Sequence, residues 1–415
     1  MSAMPVILQV IPALETGGAE RTVIEVAEAI AAAGGAALVA SEGGRLEGEL
    51  AAAGGTLIRL PLSAKNPLTI LTNARKLQAI IAERGVSLVH ARSRAPAWSA
   101  LIAARRAKVR FVTTYHGIYN QKGRLKSWYN GVMARGDLVI ANSHYTAGIV
   151  KARHGTPDER LRVIPRGVDL ARFSPGAVSR ERLAGLRRQW GVADEARLVV
   201  LAARLTRWKG QITVIEAAAH VLGNPDFADV VFILAGDDQG RSGYKDELAG
   251  RISGFGLADR ILMPGHCADM PAAFAAASLA LAPSIEPEAF GRISIEAQAM
   301  GCPVIVSDIG ALPETLIAAS NGVADTGATG WIFPAGNADA LAARIGAALR
   351  LGAGEEAVMA EAARKHVAAS FSKQALQYRT LKVYDDLLDS SMAGDFDRKS
   401  SQDVVSRSWL HRIPT

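Results

Sequence analysis

Cysteine is nearly missing from this chain. Cys267 and Cys302 are the only two in 415 residues, far apart and at no metal-ligand spacing. That excludes a disulfide scaffold and a zinc ribbon and fits a reducing compartment. Aromatic residues are scarce, at 6%, whereas glycine occurs 40 times, a balance suited to an α/β protein with many short turns. No run of about 20 apolar residues occurs, so no spanning helix is expected. The apolar start, residues 4–12, has no basic leader and meets Glu15 too early for a signal peptide, so a cytoplasmic location is expected. Acids are absent altogether between Arg84 and Arg135. That block holds eleven basic residues: Arg84, Arg92, Arg94, Arg105, Arg106, Lys108, Arg110, Lys122, Arg124, Lys126 and Arg135.

What is present is long enough, and apolar enough at 49%, for two domains with separate cores. Residues 1–180 carry 24 basic and 12 acidic side chains, the remainder 23 and 28, so the positive charge belongs to the first half. Short apolar strand windows recur at 6–12, 36–41, 56–62, 88–93, 110–116, 137–143 and 161–165. Helical stretches such as 19–33 and 67–84 separate them. After a Pro/Gly break at 173–177 and a polar helix at 179–190, strand windows resume at 197–203, 230–235, 260–264, 279–283, 303–308 and 331–334. Near-continuous apolar strands alternating with helices predict parallel sheets covered on both faces. The domains expected are 1–175 and 190–370. Residues from about 354 to 388 read as helical, with 371–390 returning to the first domain, and 391–415 read as a flexible tail.

The chemistry concentrates at strand ends. Glu288 and Glu296 have seven residues between them and follow the apolar run 279–284. A helix beginning near Gly291 would aim its amides at phosphate while the two carboxylates hold hydroxyl groups. The bland reading makes Glu288 a helix-dipole complement and Glu296 a solvated residue. A second run, from Arg204 to Lys209-Gly210, follows the strand at 197–203; its two cations can converge on one diphosphate. Gly17-Gly18 follows the first strand, where paired glycines permit close backbone approach, although the spacing is not a dinucleotide fingerprint. His116 ends the fifth strand window, where open parallel sheets bind ligands, although a lone histidine is as often structural. Phosphate plus hydroxyls describes a nucleotide sugar.

Together these elements resemble the retaining glycosyltransferases of family 4, the group 1 glycosyltransferases. The resemblance runs from the Gly17-Gly18 loop to about residue 371. It implies the GT-B fold, two facing Rossmann-like doubly wound domains with the active site in the cleft between them. The first domain then binds the acceptor and the second the nucleotide sugar. By the same resemblance Glu288 contacts the transferred sugar, Glu296 the ribose, and Arg204 and Lys209 the diphosphate. The amides of Phe290, Gly291 and Arg292 reach sugar and phosphate, Gly17 and Gly18 close over the diphosphate, and His116 lies beside the sugar. The expected catalytic set is Glu288, Arg204, Lys209 and His116, with no metal and no cofactor beyond the donor. Where the family often has asparagine before Gly-Val-Asp, this chain has Arg166. The phrase from Pro287 to Arg292, with Tyr115 to Tyr119, is similar to bacterial lipopolysaccharide-core transferases.

Three readings of the basic block stay open: an anionic glycan or glycolipid acceptor, docking on anionic membrane lipid with Trp98, Trp128 and Tyr129 at the interface, or a solvated surface. No nucleic-acid motif accompanies it. Asp395-Phe396-Asp397 spells a metal-binding motif of another transferase fold but lies in the polar tail, away from any strand end. A nucleotide-sugar epimerase on the same fold, and a noncatalytic nucleotide-sugar-binding subunit, are the alternatives.

Overall fold

The computed structural model of the chain describes residues 4–15, 17–119, 123–240, 242–319 and 327–410. Lys122 of the basic block lies outside them. The chain divides into two units, residues 1–166 with 373–415, and residues 167–372.

The first unit alternates β1 (Val6–Val10), α1 (Gly18–Ala32), β2 (Ala36–Ser41), α2 (Glu47–Ala52), β3 (Gly55–Arg59), α3 (Pro67–Arg84), β4 (Leu88–Ala91), α4 (Arg94–Ala107), β5 (Arg110–Tyr115), α5 (Arg124–Asn130), β6 (Leu138–Ala141), α6 (His144–His154) and β7 (Leu161–Val163). The strands form one parallel sheet in the order β3-β2-β1-β4-β5-β6-β7. Local chemistry fixes the helix ends. At α3 the Asn66 side chain accepts from Thr69 N at 2.8 Å, Pro67 opens the first turn, and Gly85 closes it at φ 60°.

The second unit continues with α7 (Arg180–Trp190), β8 (Arg197–Ala202), α8 (Gln211–Leu222), β9 (Val230–Ala235), α9 (Ser242–Gly254), β10 (Ile261–Gly265), α10 (Met270–Ala276), β11 (Ala277–Ala282), α11 (Arg292–Ala299), β12 (Val304–Ser307), β13 (Gly330–Phe333), α12 (Ala338–Ala348) and α13 (Ala353–Ser370). Its parallel sheet runs β10-β9-β8-β11-β12-β13. Every strand window read from the sequence overlaps a strand. β11 starts two residues before its window because α10 runs directly into it.

Two expectations need correction. The helical stretch at 354–388 is two helices, α13 and α14 (Lys373–Leu388), assigned to different units. The break falls where Phe371 is buried against Phe290, ring centroids 5.9 Å apart, and its carbonyl accepts from Val168 N at 2.8 Å. The stretch read as a flexible tail is helix α15 (Met392–Leu410) over most of its length. Met392, Ala393 and Phe396 are buried in the core of the first unit, and the Asp385 carboxylate caps the helix by accepting from Met392 N at 2.8 Å and Ala393 N at 3.0 Å. Those apolar residues share one helical face, which the polar composition around them concealed. Asp395 pairs with Arg398 there, as a helix-surface residue.

α14 packs on α1, where Gln377 Nε2 donates to the Glu25 carbonyl at 2.7 Å and Lys373 pairs with Glu28 at 3.2 Å. Among the described residues no helix is long and apolar enough to cross a membrane.

Candidate active site

In the second sheet the chain leaves β8 outward through β9 and β10, then returns to β11 on the other side of β8. The carboxyl ends of β8 and β11 therefore flank the point where the strand order reverses, where open α/β sheets bind ligands. The loop after β8 carries Arg204 and Lys209; the loop after β11 carries Glu288.

These loops are locked together. Gly210 has φ 76°, and a Cβ there would collide with the Pro283 carbonyl oxygen, so only glycine allows the approach. Ile285 N donates to the Trp208 carbonyl at 2.9 Å. Lys209 Nζ consequently reaches Glu288 Oε1 at 2.7 Å, with the two side chains 16% and 12% exposed. The ammonium also lies 4.3 Å from the Trp208 ring centroid. Ser284 Oγ donates to the same Glu288 oxygen, and the Ser284 carbonyl accepts from Ser307 Oγ at 2.7 Å. The Glu288 backbone is held as well: its carbonyl accepts from Ala311 N at 2.9 Å, and a Cβ on Gly310, at φ 67°, would lie 2.5 Å from its nitrogen.

Glu296 sits on the second turn of α11, 7% exposed, and pairs with Arg292 at 3.0 Å. Gly291 is the N-cap of this helix and provides no side-chain cap. The Phe290 ring is committed to the core. Arg204 is exposed and hydrogen-bonds Gln239 at 3.5 Å. The structure thus joins Lys209 to Glu288 and Arg292 to Glu296, and gives Arg204 no ion pair with either glutamate among the described residues.

In the first unit, Gly17 is the N-cap of α1 at φ −73°, an angle open to any residue, and the mobile end of the Glu20 side chain lies over the position a Cβ would take. His116 follows β5 with Nδ1 3.4 Å from Arg166 Nη2. Burial first, then the charges of Arg166 and Arg92, hold its pKa well below the ordinary histidine value. Beneath it, His90 Nδ1 meets Tyr384 Oη and Nε2 meets Thr114 Oγ1, both at 2.7 Å, and the buried Arg92 donates to Gln9 Oε1 at 2.6 Å.

Sequence reasoning missed Ser284, Ser307, Trp208 and Gly310. Ser284 carried a signal, a hydroxyl four residues before Glu288 at a strand end; the others are set by tertiary contacts. Among the described residues no group of His, Cys, Asp and Glu side chains is arranged to hold a metal ion.

The sequence matches the Glycosyltransferase Family 4 profile over residues 16–172 and the Glycosyl transferases group 1 profile over residues 185–366. A glycosyltransferase from Rickettsia africae superposes with a TM-score of 0.84 at 32% identity, covering 94% of this chain and 100% of that one. HepE from Anabaena, solved in complex with UDP, superposes at 0.78 with 26% identity over 92% of this chain and 100% of its own. A D-inositol 3-phosphate glycosyltransferase from Salinispora arenicola is 32% identical over 61% of this chain. The match spans about half of that relative's length, 55%.

Proposed function

The chain belongs to the group 1 glycosyltransferases of family 4 and has their two-unit Rossmann-like fold, and on that premise we propose that it moves a hexosyl unit from a nucleoside diphosphate sugar to an acceptor hydroxyl with retention of configuration. The observation that carries this reading is the Lys209–Glu288 pair at the β8/β11 reversal point, held by Ser284. A diphosphate and Glu288 compete for one ammonium. As pyrophosphate draws Lys209, Glu288 retains the Ser284 hydroxyl and can turn its free acceptor capacity to sugar hydroxyls. Glu296, positioned by Arg292, is assigned to the ribose. Charge growing on the departing diphosphate is met by Lys209, Arg204 and the backbone amides leading into α11, those of Phe290, Gly291 and Arg292. We therefore infer that no metal is needed. The bond from the anomeric carbon to the diphosphate breaks, the bond to the acceptor oxygen forms on the same face, and a diphosphate oxygen takes the acceptor's proton. Gly17, Gly18 and His116 are assigned to the same reaction from the first unit.

The acceptor we propose is anionic. A relative named for D-inositol 3-phosphate and the basic first half both favour a phosphorylated polyol or glycolipid. A lipopolysaccharide-core acceptor in cell-envelope assembly is the narrower version, supported by the phrases from Pro287 to Arg292 and from Tyr115 to Tyr119. Two free cysteines favour a cytoplasmic location. An open cavity of about 880 Å³ lined by Arg110, Arg135, Arg160, the Arg105–Asp137 ion pair and Trp128, on the helix that also exposes Leu125, favours contact with the inner membrane face.

A panel of UDP and GDP hexoses read by thermal shift and by transfer to phosphorylated polyols tests the reading. One donor is expected to stabilise the protein and to turn over, unaffected by EDTA. Glu288→Ala should lower turnover at least about a hundredfold, the loss of several kcal/mol of transition-state interaction. Free nucleotide released without sugar transfer would indicate an epimerase. Binding without turnover would indicate a noncatalytic subunit.

A further inference from the structure

Arg166, which stands where the family pattern has asparagine, acquires a role from its neighbour. β5, β6 and β7 run in parallel register, with Tyr115 beside Ala141 and Ala141 beside Val163. The residues just past their carboxyl ends therefore converge. Asn142 Nδ2 donates to the His116 carbonyl at 3.4 Å, and Arg166 Nη2 lies 3.4 Å from His116 Nδ1. His116 Nε2 is buried and has no hydrogen-bond partner among the described residues.

A guanidinium has donors and no acceptor. An approach from Arg166 therefore requires a lone pair on Nδ1. The Nδ1–H tautomer would set two donors face to face, and an imidazolium would set two cations face to face. Among the described residues the other charged or titratable groups acting on the ring are Arg92 past β4 and His90 within β4, neither of them a carboxylate, while Tyr119 in the loop after β5 meets the His116 backbone. The neutral ring with its proton on Nε2 is the state that satisfies these neighbours.

We propose that Arg166 is a positioning residue that fixes His116 in the tautomer with Nδ1 accepting and Nε2 protonated, so that His116 donates a hydrogen bond to a ligand oxygen and does not serve as a general base. The identity of that oxygen, on the sugar or the acceptor, rests on the glycosyl-transfer reading; the tautomer does not. A proton lost by the acceptor hydroxyl must then leave by another route, consistent with its capture by the departing diphosphate.

The test is long-range proton–nitrogen correlation NMR on the full-length protein labelled with 15N-histidine, the His116 signals being assigned by their loss in His116→Gln. The wild type should keep Nε2 protonated and Nδ1 bare from about pH 8 to about pH 5.5, through the range where a free imidazole titrates. In Arg166→Gln the titration should move up toward the ordinary value. In Arg166→Glu, where a carboxylate accepts from the ring, the proton should shift to Nδ1 and the ring should charge near neutral pH. Circular dichroism establishes that each variant is folded, and the milder Gln variant carries the test alone if the Glu variant is not. Nδ1 protonation in the wild type, or the same tautomer and titration in every variant, overturns the assignment. For function, Arg166→Glu should lower transfer at least about tenfold at unchanged affinity for the nucleoside diphosphate. Unchanged transfer with a flipped tautomer would overturn the donor role. A wild type that binds no nucleotide sugar would refute the proposed function and leave the tautomer assignment standing.

Discussion

At the scale of single residues, the buried histidines couple stability to pH. His90 and His116 both have pKa values held well below the ordinary value, chiefly by burial and then by neighbouring cations. In the unfolded chain each would take a proton near pH 6.5. Below that pH the unfolded state binds more protons than the folded one, so stability is full above pH 6.5 and falls as the pH drops. Each imidazole steepens that fall by about 1.4 kcal/mol per pH unit until the folded-state pKa is reached. Thermal midpoints should decline between about pH 6.5 and about pH 5, and His116→Gln should flatten the decline. An unchanged slope in that variant would show that the ring is not kept neutral. The same scale shows what the sequence could reveal. Glu288 and Lys209 drew attention in the sequence because each lies in the loop that follows an apolar strand window, where open parallel sheets bind ligands. Their mutual contact at 2.7 Å was not, because it depends on Gly210 letting one loop settle on the next. Arg204 was read as the partner cation of Lys209, yet its exposed side chain turns to Gln239, a contact between two loops that no local pattern encodes.

At the scale of elements, strands were the legible part. β-branched and leucine-rich windows bounded by polar or glycine residues left little choice of conformation, so windows and strands coincide closely along both sheets. The C-terminus was illegible for the opposite reason. A helix whose buried side chains, among the described residues, are Met392, Ala393 and Phe396 looks polar when averaged over its length. Its importance can be measured. Replacing Phe396, 6% exposed, with alanine should cost about 3–5 kcal/mol, the range for emptying a buried aromatic site. Ending the chain after Ser391 should destabilise at least as much, and both changes should appear as lower midpoints in urea unfolding followed by circular dichroism. A truncated protein as stable as the full chain would mean that α15 contributes nothing to the core it covers.

At the scale of the whole molecule, charge is partitioned along the chain, and that partition has a consequence independent of the donor site. The surplus of basic residues within 1–180 includes the exposed Arg106, Lys108, Arg110, Arg124, Lys126 and Arg135. Arg105, Arg106 and Lys108 also complement the C-terminal end of α4, and that accounts for some of the charge without any partner. Arg110 likewise donates to the Leu387 carbonyl at the end of α14, at 3.2 Å, but neither contact accounts for Arg124 and Lys126, nor for Leu125 at 86% exposure and Trp128 at 58% on the same short helix α5. Trp128 is braced rather than loose: it stacks on Trp98 at 4.4 Å, with the Arg135 guanidinium 5.7 Å from its ring. Exposed apolar side chains flanked by cations suit the interface of an anionic bilayer, where each basic residue near the surface contributes about 1 kcal/mol at low salt. The protein should therefore sediment with vesicles containing phosphatidylglycerol and not with pure phosphatidylcholine, and added salt should release it as screening shortens the reach of the charges. Leu125→Ser with Trp128→Ser should weaken this binding about tenfold or more while leaving the thermal shift produced by the donor unchanged. Equal binding to both vesicle types, or binding insensitive to salt and to these substitutions, would return the basic surface to the simplest reading, a solvated face that keeps the chain soluble.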